Sequence, residues 1–268
     1  MEDIFTGRGT PLGQAGFNAA AAMIGGDVAS LWSLLKVETR GFGYLADRRP
    51  KILFERHVFR ARTAARFDRT APDLSAPTPG GYIGGPAEYL RLKRAMLLDR
   101  QAALESASWG LGQVMGFNAA KIGFDDVDAM IAAFVGSEDA QLAGCTQFIN
   151  ASPALLAAYQ NRQWARVAFF YNGRDYAKNA YDLKLSQAHA DFLANGCPTV
   201  PIREVQAYLT YLGFDPRGID GKVGSGTRAA LQAFVAASPT IKNLPNLNGP
   251  ADAFLPFLKD AFDQRFPS

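Results

Sequence analysis

The chain has 268 residues, with 28 Lys+Arg against 25 Asp+Glu and a formal net charge of +3. A balance this small, at a sequence pI near 8.8, is no footprint for nucleic acid, which needs a clustered basic face. A 48% hydrophobic and 20% charged composition excludes disorder throughout.

No run of about 18 apolar residues is present to span a membrane. The apolar stretch 19–26 is short and follows Glu2, Asp3 and Arg8 instead of a basic start, so the chain is expected to stay in the cytoplasm where it is made. Cys145 and Cys197 make no disulfide framework. Together with His57 and His189 they match no zinc-ligand spacing, so two free thiols and no metal or other cofactor are expected.

The first clear element starts at Asp27, an N-cap after Gly25-Gly26, and carries Val28, Leu31, Trp32 and Leu35 at helical spacing up to Glu38, before Gly41 stops it. From Phe42 to Phe59 the pattern changes to a small β-hairpin, turning at Asp47-Arg48-Arg49-Pro50 and rich in strand formers from Lys51 onward. Residues 70–86, crowded with Pro, Gly, Ser and Thr, read as a surface loop. Helices are expected over 88–107, 125–134, 137–149, 153–160, 163–171 and 176–194. The glycine and two prolines at 195–201 mark a linker, so the domains are 1–194 and 202–268. In the second, Val205, Leu209 and Leu212 form a helical stripe, Asp220-Gly221 a tight turn, and Thr227 an N-cap for a helix to Phe234. The tail, with Phe254, Phe257, Leu258 and Phe262 at helical spacing, is expected to cap that domain.

Glu38 closes an apolar helix, where the negative end of the macrodipole and burial beside Trp32 or Phe42 would both hold its proton, as a general acid requires. An exposed terminal glutamate is the alternative. Asp47 and Glu55 flank the hairpin and are candidates for a second carboxylate across a cleft, as in glycoside hydrolysis. Asp47 also suits a turn, and Glu55 a contact with Arg56 or His57. The segment from Ser108-Trp109 through Gly110-Leu111-Gly112-Gln113 to Asn118 suits a cleft floor where backbone approaches a ligand and an amide binds sugar groups, or a connector packed by Trp109. Tyr171-Asn172-Gly173 ends a helix with a tyrosine on its apolar stripe.

Glu38, Gly41-Phe42, the run Arg49 to His57 and the run Ser108 to Asn118 resemble the N-acetylmuramidase domain of phage endolysins, over roughly residues 15–190. The Gly-Leu-Gly-Gln and Tyr-Asn-Gly pieces are also similar to goose-type lysozymes and lytic transglycosylases, whose acid is a glutamate at a helix C-terminus. The likeness carries that role to Glu38 and lines its cleft with Ser108, Gln113, Tyr171 and Asn172. Glu38 and Asp47 also fit the spacing of the other common phage lysozymes, with Leu53 in place of their threonine. The segment from Val200 to Phe234, with Gln206, Asp220-Gly221 and Thr227, resembles the type 1 peptidoglycan-binding domain.

These resemblances imply a mainly α chain: a lysozyme-like α+β catalytic domain with a small β-hairpin, then a small three-helix peptidoglycan-binding domain. The implied activity is an endolysin hydrolysing the β-1,4 bond between N-acetylmuramic acid and N-acetylglucosamine. Its partner is bacterial peptidoglycan, its expected state a monomer, and a holin-type partner would give access to the wall. A lytic transglycosylase, a non-catalytic wall-binding virion component and a zinc amidase are the competing readings.

Overall fold

The computed structural model describes residues 4–39, 41–173, 177 and 179–267. The elements in chain order are α1 (Gln14–Ile24), α2 (Val28–Thr39), β1 (Ile52–Phe54), α3 (Arg56–Arg62), α4 (Glu88–Leu98), α5 (Arg100–Glu105), β2 (Ala107–Trp109) and β3 (Val114–Met115). They continue with α6 (Val127–Gly136), α7 (Glu138–Asn150), α8 (Pro153–Gln160), α9 (Trp164–Asn172), α10 (Tyr181–Asn195), α11 (Val200–Leu212), α12 (Ser225–Ala237) and α13 (Leu255–Arg265). No single helix among the described residues is long and apolar enough to cross a membrane. α1 and α2 pass that test only as a pair, bent by 108°, and both contribute to the core.

Asp126 and Ser137 cap α6 and α7 through their side chains, each accepting the N–H three residues on. The sheet differs from the expected hairpin at 42–59. β1 pairs antiparallel with β2 (Ile52 with Trp109, Phe54 with Ala107), and β2 with β3 (Ser108 with Met115). The segment before β1 contributes only an isolated bridge, Tyr44 with Pro50, and the chain after Phe54 turns into α3. Strand formers at 51–59 were satisfied by a distant partner, which local patterning does not reveal. The expected helix 88–107 is two helices, because Asp99 is extended (φ −159°, ψ 104°) and its carboxylate accepts Ala102 N–H to cap α5.

Residues from α1 through α10 share one core. A second core holds Val205, Tyr208, Leu209, Leu231 and Phe234 with Phe254, Leu258 and Phe262 of the tail, and it also takes in Phe42 and Tyr44 from the chain just after α2. Tyr208 and Tyr211 both pack against Phe262 with tilted rings, centroids 5.2 and 5.5 Å apart.

The two cores are joined by a buried ion pair. Arg203 of α11 donates to both carboxylate oxygens of Glu138, at 2.7 and 2.6 Å, and through Nε to Gly41 O at 2.6 Å. Both side chains are fully inaccessible. Glu138 also accepts Leu12 N–H and Gly43 N–H, so its charge is compensated on every side.

Candidate active site

α2 is fixed at both ends. Asp27 accepts the N–H and hydroxyl of Ser30, at 2.7 and 2.9 Å, and lies 3.0 Å from His189 Nε2, tying the start of α2 to the middle of α10. At the other end Gly41, at φ +83°, donates to Leu35 O. Lys51 Nζ caps Thr39 O at 3.0 Å, a cation on exposed carbonyls where the helix dipole is negative. Thr39 Oγ1 donates to Leu111 O, fastening this last turn to the loop between β2 and β3.

Glu38 projects from that turn. Its side chain is half-buried, the Tyr181 hydroxyl donates to its Oε1, and burial pushes its pKa up to about 8 from the ordinary 4.5. When ionised, it would raise the pKa of the Cys145 thiol and the Tyr171 hydroxyl. Burial, together with Glu38, pushes the Cys145 thiol up to about 12, against the opposing effect of its contact with the Tyr171 hydroxyl. Tyr171 donates to Gly112 O at 2.7 Å and lies 3.2 Å from Cys145 Sγ. A Cβ on Gly112 would fall 2.5 Å from that of Cys145 and 3.3 Å from the Tyr171 hydroxyl, so only glycine lets the loop come this close.

The sheet supplies a second wall. Ile52, Phe54, Ala107, Trp109 and Val114 face the core, so alternation puts Leu53, Ser108 and Met115 on the opposite face as cross-strand neighbours. The turn between β2 and β3 is locked by Gln113, which sits at φ +47°. It accepts from Ser108 Oγ at 2.8 Å and donates to Gly110 O and Lys51 O.

Sequence comparison matches residues 27–193 to the N-acetylmuramidase family and residues 200–234 to a putative peptidoglycan binding domain. The chain belongs to the N-acetylmuramidase family. It is 38% identical to the Burkholderia AP3 phage endolysin, whose crystal structure superposes with a TM-score of 0.63 over 69% of this chain and 73% of that one. No curated protein sequence matches it. The enzyme is thus a glycoside hydrolase, a muramidase with a peptidoglycan-binding domain after it.

Within the muramidase, Glu38 and Tyr171 of the sequence-derived set come together, with the Ser108–Gln113 pair on the turn that Tyr171 also contacts. Gln113 spends its amide on strand and turn carbonyls, so its role there is to hold Ser108 and the loop. Glu55 continues the Leu53 face. Its carboxylate accepts from the Tyr82 hydroxyl at 2.8 Å and lies 3.2 Å from His57 Nδ1.

Asp47 is half exposed and accepts from both the backbone and the guanidinium of Arg49. Those bonds hold its carboxyl below the usual range against the opposing effect of burial, the pattern of a turn-forming aspartate. Asn172 is exposed at the end of α9. In the second domain Gln206 donates to Asp220, Lys222 O and Thr227 and accepts Gly221 N–H. The three residues therefore brace the loop between α11 and α12 from inside. Thr227 is not the expected N-cap: α12 begins at Ser225 after Gly224.

Sequence reasoning missed Tyr181, the hydroxyl on the acid, and Gln141. Gln141 is fully buried; it accepts Leu111 N–H and donates to Phe134 O, fixing the loop beside Glu38. Neither has a local signal, since both read as ordinary residues of a helix face.

Proposed function

We propose that this muramidase cleaves the β-1,4 bond between N-acetylmuramic acid and N-acetylglucosamine, with Glu38 as general acid. The observation that carries the reading is a half-buried carboxyl with its pKa pushed up to about 8, still protonated at neutral pH. It sits beside a wall made of the β2–β3 loop. In the reaction the Glu38 proton passes to the departing sugar oxygen, and a water oxygen attacks the sugar cation while its proton passes to a carboxylate base. Tyr171 and Tyr181 order the surroundings of the acid. In this reading Ser108 and Asn172 meet sugar hydroxyls and amides.

Of the other two carboxylates, Glu55 is the candidate for orienting that water, because it continues the face of β1 turned away from the core and is held by Tyr82. Asp47 is committed to Arg49 in its turn. Residues 202–268 act as the wall anchor, joined through 195–201. Linking the anchor to the catalytic unit raises the local concentration of glycan bonds. In this reading the chain works as a monomeric endolysin that waits in the host cytoplasm and reaches the wall through a separate membrane-permeabilising partner. Its relation to a phage endolysin supports this.

The test is Glu38→Gln, with circular dichroism as the check on folding. The expected result is a folded chain that no longer clears outer-membrane-stripped cells. Substantial clearance by that variant rejects the assignment. Mass spectrometry of wild-type products should show reducing ends; anhydro ends, lighter by one water, would replace water with the sugar's own hydroxyl as nucleophile.

A further inference from the structure

On the side of α2 away from Glu38, the two domains border an open cavity of about 470 Å³. Its walls include Trp32 and Lys36 of α2, Asp191 and Phe192 of α10, and Asp220 and Lys222 of the loop between α11 and α12, so two carboxylates line it beside the two ammonium groups. The Arg203–Glu138 pair fixes the docking that creates it, and Thr199 N–H bonded to Gly221 O closes one end.

The charges inside are unevenly committed. Lys36 Nζ lies 5.0 Å and Lys222 Nζ 5.9 Å from the centre of the Phe192 ring, so two ammonium groups share one aromatic ring. Lys36 reaches Asp191 only at 3.4 Å, and Asp191 also accepts from Asn195. Lys222 Nζ makes no hydrogen bond or ion pair among the described residues, while Asp220 Oδ1 is taken up by Gln206 and Lys222 N–H.

We propose that this cavity receives the peptide stem of peptidoglycan, with stem carboxylates on Lys36 and Lys222 and the stem backbone over Phe192. The proposal rests on glycan cleavage at Glu38. Charge complementarity selects the occupant: Asp220 is committed to Gln206 and its own loop and Asp191 to Lys36 and Asn195, which leaves Lys222 without a counter-charge partner among the described residues, and the stem is the part of the polymer that carries several carboxylates while the glycan is neutral. The reach also fits. Lys36 and Glu38 are two residues apart and point to roughly opposite sides of α2. A helix is about 10 Å across, and four extended residues span about 13 Å. A glycan crossing the end of α2 at Glu38 can therefore drop its stem into the cavity behind.

The experiment uses the full chain on two substrates, intact sacculi and glycan strands stripped of stems by an amidase. Wild type is expected to show a lower KM on the stem-bearing substrate. In Lys222→Glu, and independently in Lys36→Glu, that preference should shrink about ten-fold, since attraction is replaced by repulsion. Variants that keep the full preference, or that slow both substrates equally, overturn the proposal.

Calorimetric titration of the Glu38→Gln chain with an N-acetylmuramyl tripeptide bearing free carboxylates reads the cavity without catalysis. Binding that weakens on adding Lys222→Glu is expected. No binding, or equal weakening for a stem-free muramyl disaccharide, overturns the stem as occupant. Failure of the Glu38 reading shows separately, as a Glu38→Gln chain that still cuts stripped glycan.

Discussion

Replacing Glu38 by Gln should remove activity and, at alkaline pH, add stability. Burial holds the carboxyl near 8 in the folded chain against an ordinary 4.5. The folded state thus keeps a proton that the unfolded chain releases, and wild type loses stability as pH rises from about 4.5 to about 8. Below that window both states are protonated and nothing is lost. Each pKa unit corresponds to about 1.4 kcal/mol, so the shift sets a ceiling of about 5 kcal/mol. Because the side chain is only half-buried, about 2–3 kcal/mol is the expected size. Glutamine carries no charge at any pH. The variant should therefore match wild type near about pH 4 and exceed it by that amount near about pH 9. Urea unfolding followed by circular dichroism at the two pH values measures the difference. A stability gap that does not change with pH, or one that favours wild type at the alkaline end, would mean that the carboxylate ionises in the fold without penalty, and the acid role would lose its physical basis.

The same ionisation should make kcat fall as pH rises through about 8. Tyr181→Phe removes a donor to the carboxylate and should move that limb upward by up to about one unit; a downward shift in the pH-rate profile would contradict the hydrogen bond. Arg203→Met leaves Glu138 charged and buried. It should cost about 3–5 kcal/mol, seen calorimetrically as a melting point lower by roughly 6–20 °C, and a change of less than a few degrees would refute the pair's role. Gly112→Ala forces a methyl against Cys145 and Tyr171 and should cost about 1–3 kcal/mol while lowering kcat. Thermal unfolding with initial rates checks both effects, and wild-type values for the two would refute the close approach.

What sequence could read was local. Asp27 as a cap, the stripe of α2, its stop at Gly41 and Glu38 at the end all follow from spacing and capping chemistry, and the family likeness then gave the acid its meaning. The sheet was misplaced because β1 finds its partner across more than fifty residues, at Ala107–Trp109, and period-two patterning is silent about who pairs with whom. Asp99 was passed over as a helical residue although its side chain competes for the backbone. α1 went unread because its small, apolar sequence has no polar face to set a period. The Arg203–Glu138 pair was invisible for a different reason: an acid in the first turn of a helix reads as an ordinary complement to the dipole, and nothing nearby names a partner 65 residues away.

The second core has a consequence for anyone recombining such enzymes. Residues 200–234 carry the family match, yet their core is completed by Phe254, Leu258 and Phe262 downstream and by Phe42 and Tyr44 from the catalytic side. A chimera cut at those limits would transplant a module with two of its walls missing. Exchange of binding specificity in this architecture calls for grafting the whole tail and carrying over the short aromatic segment behind the acid as well.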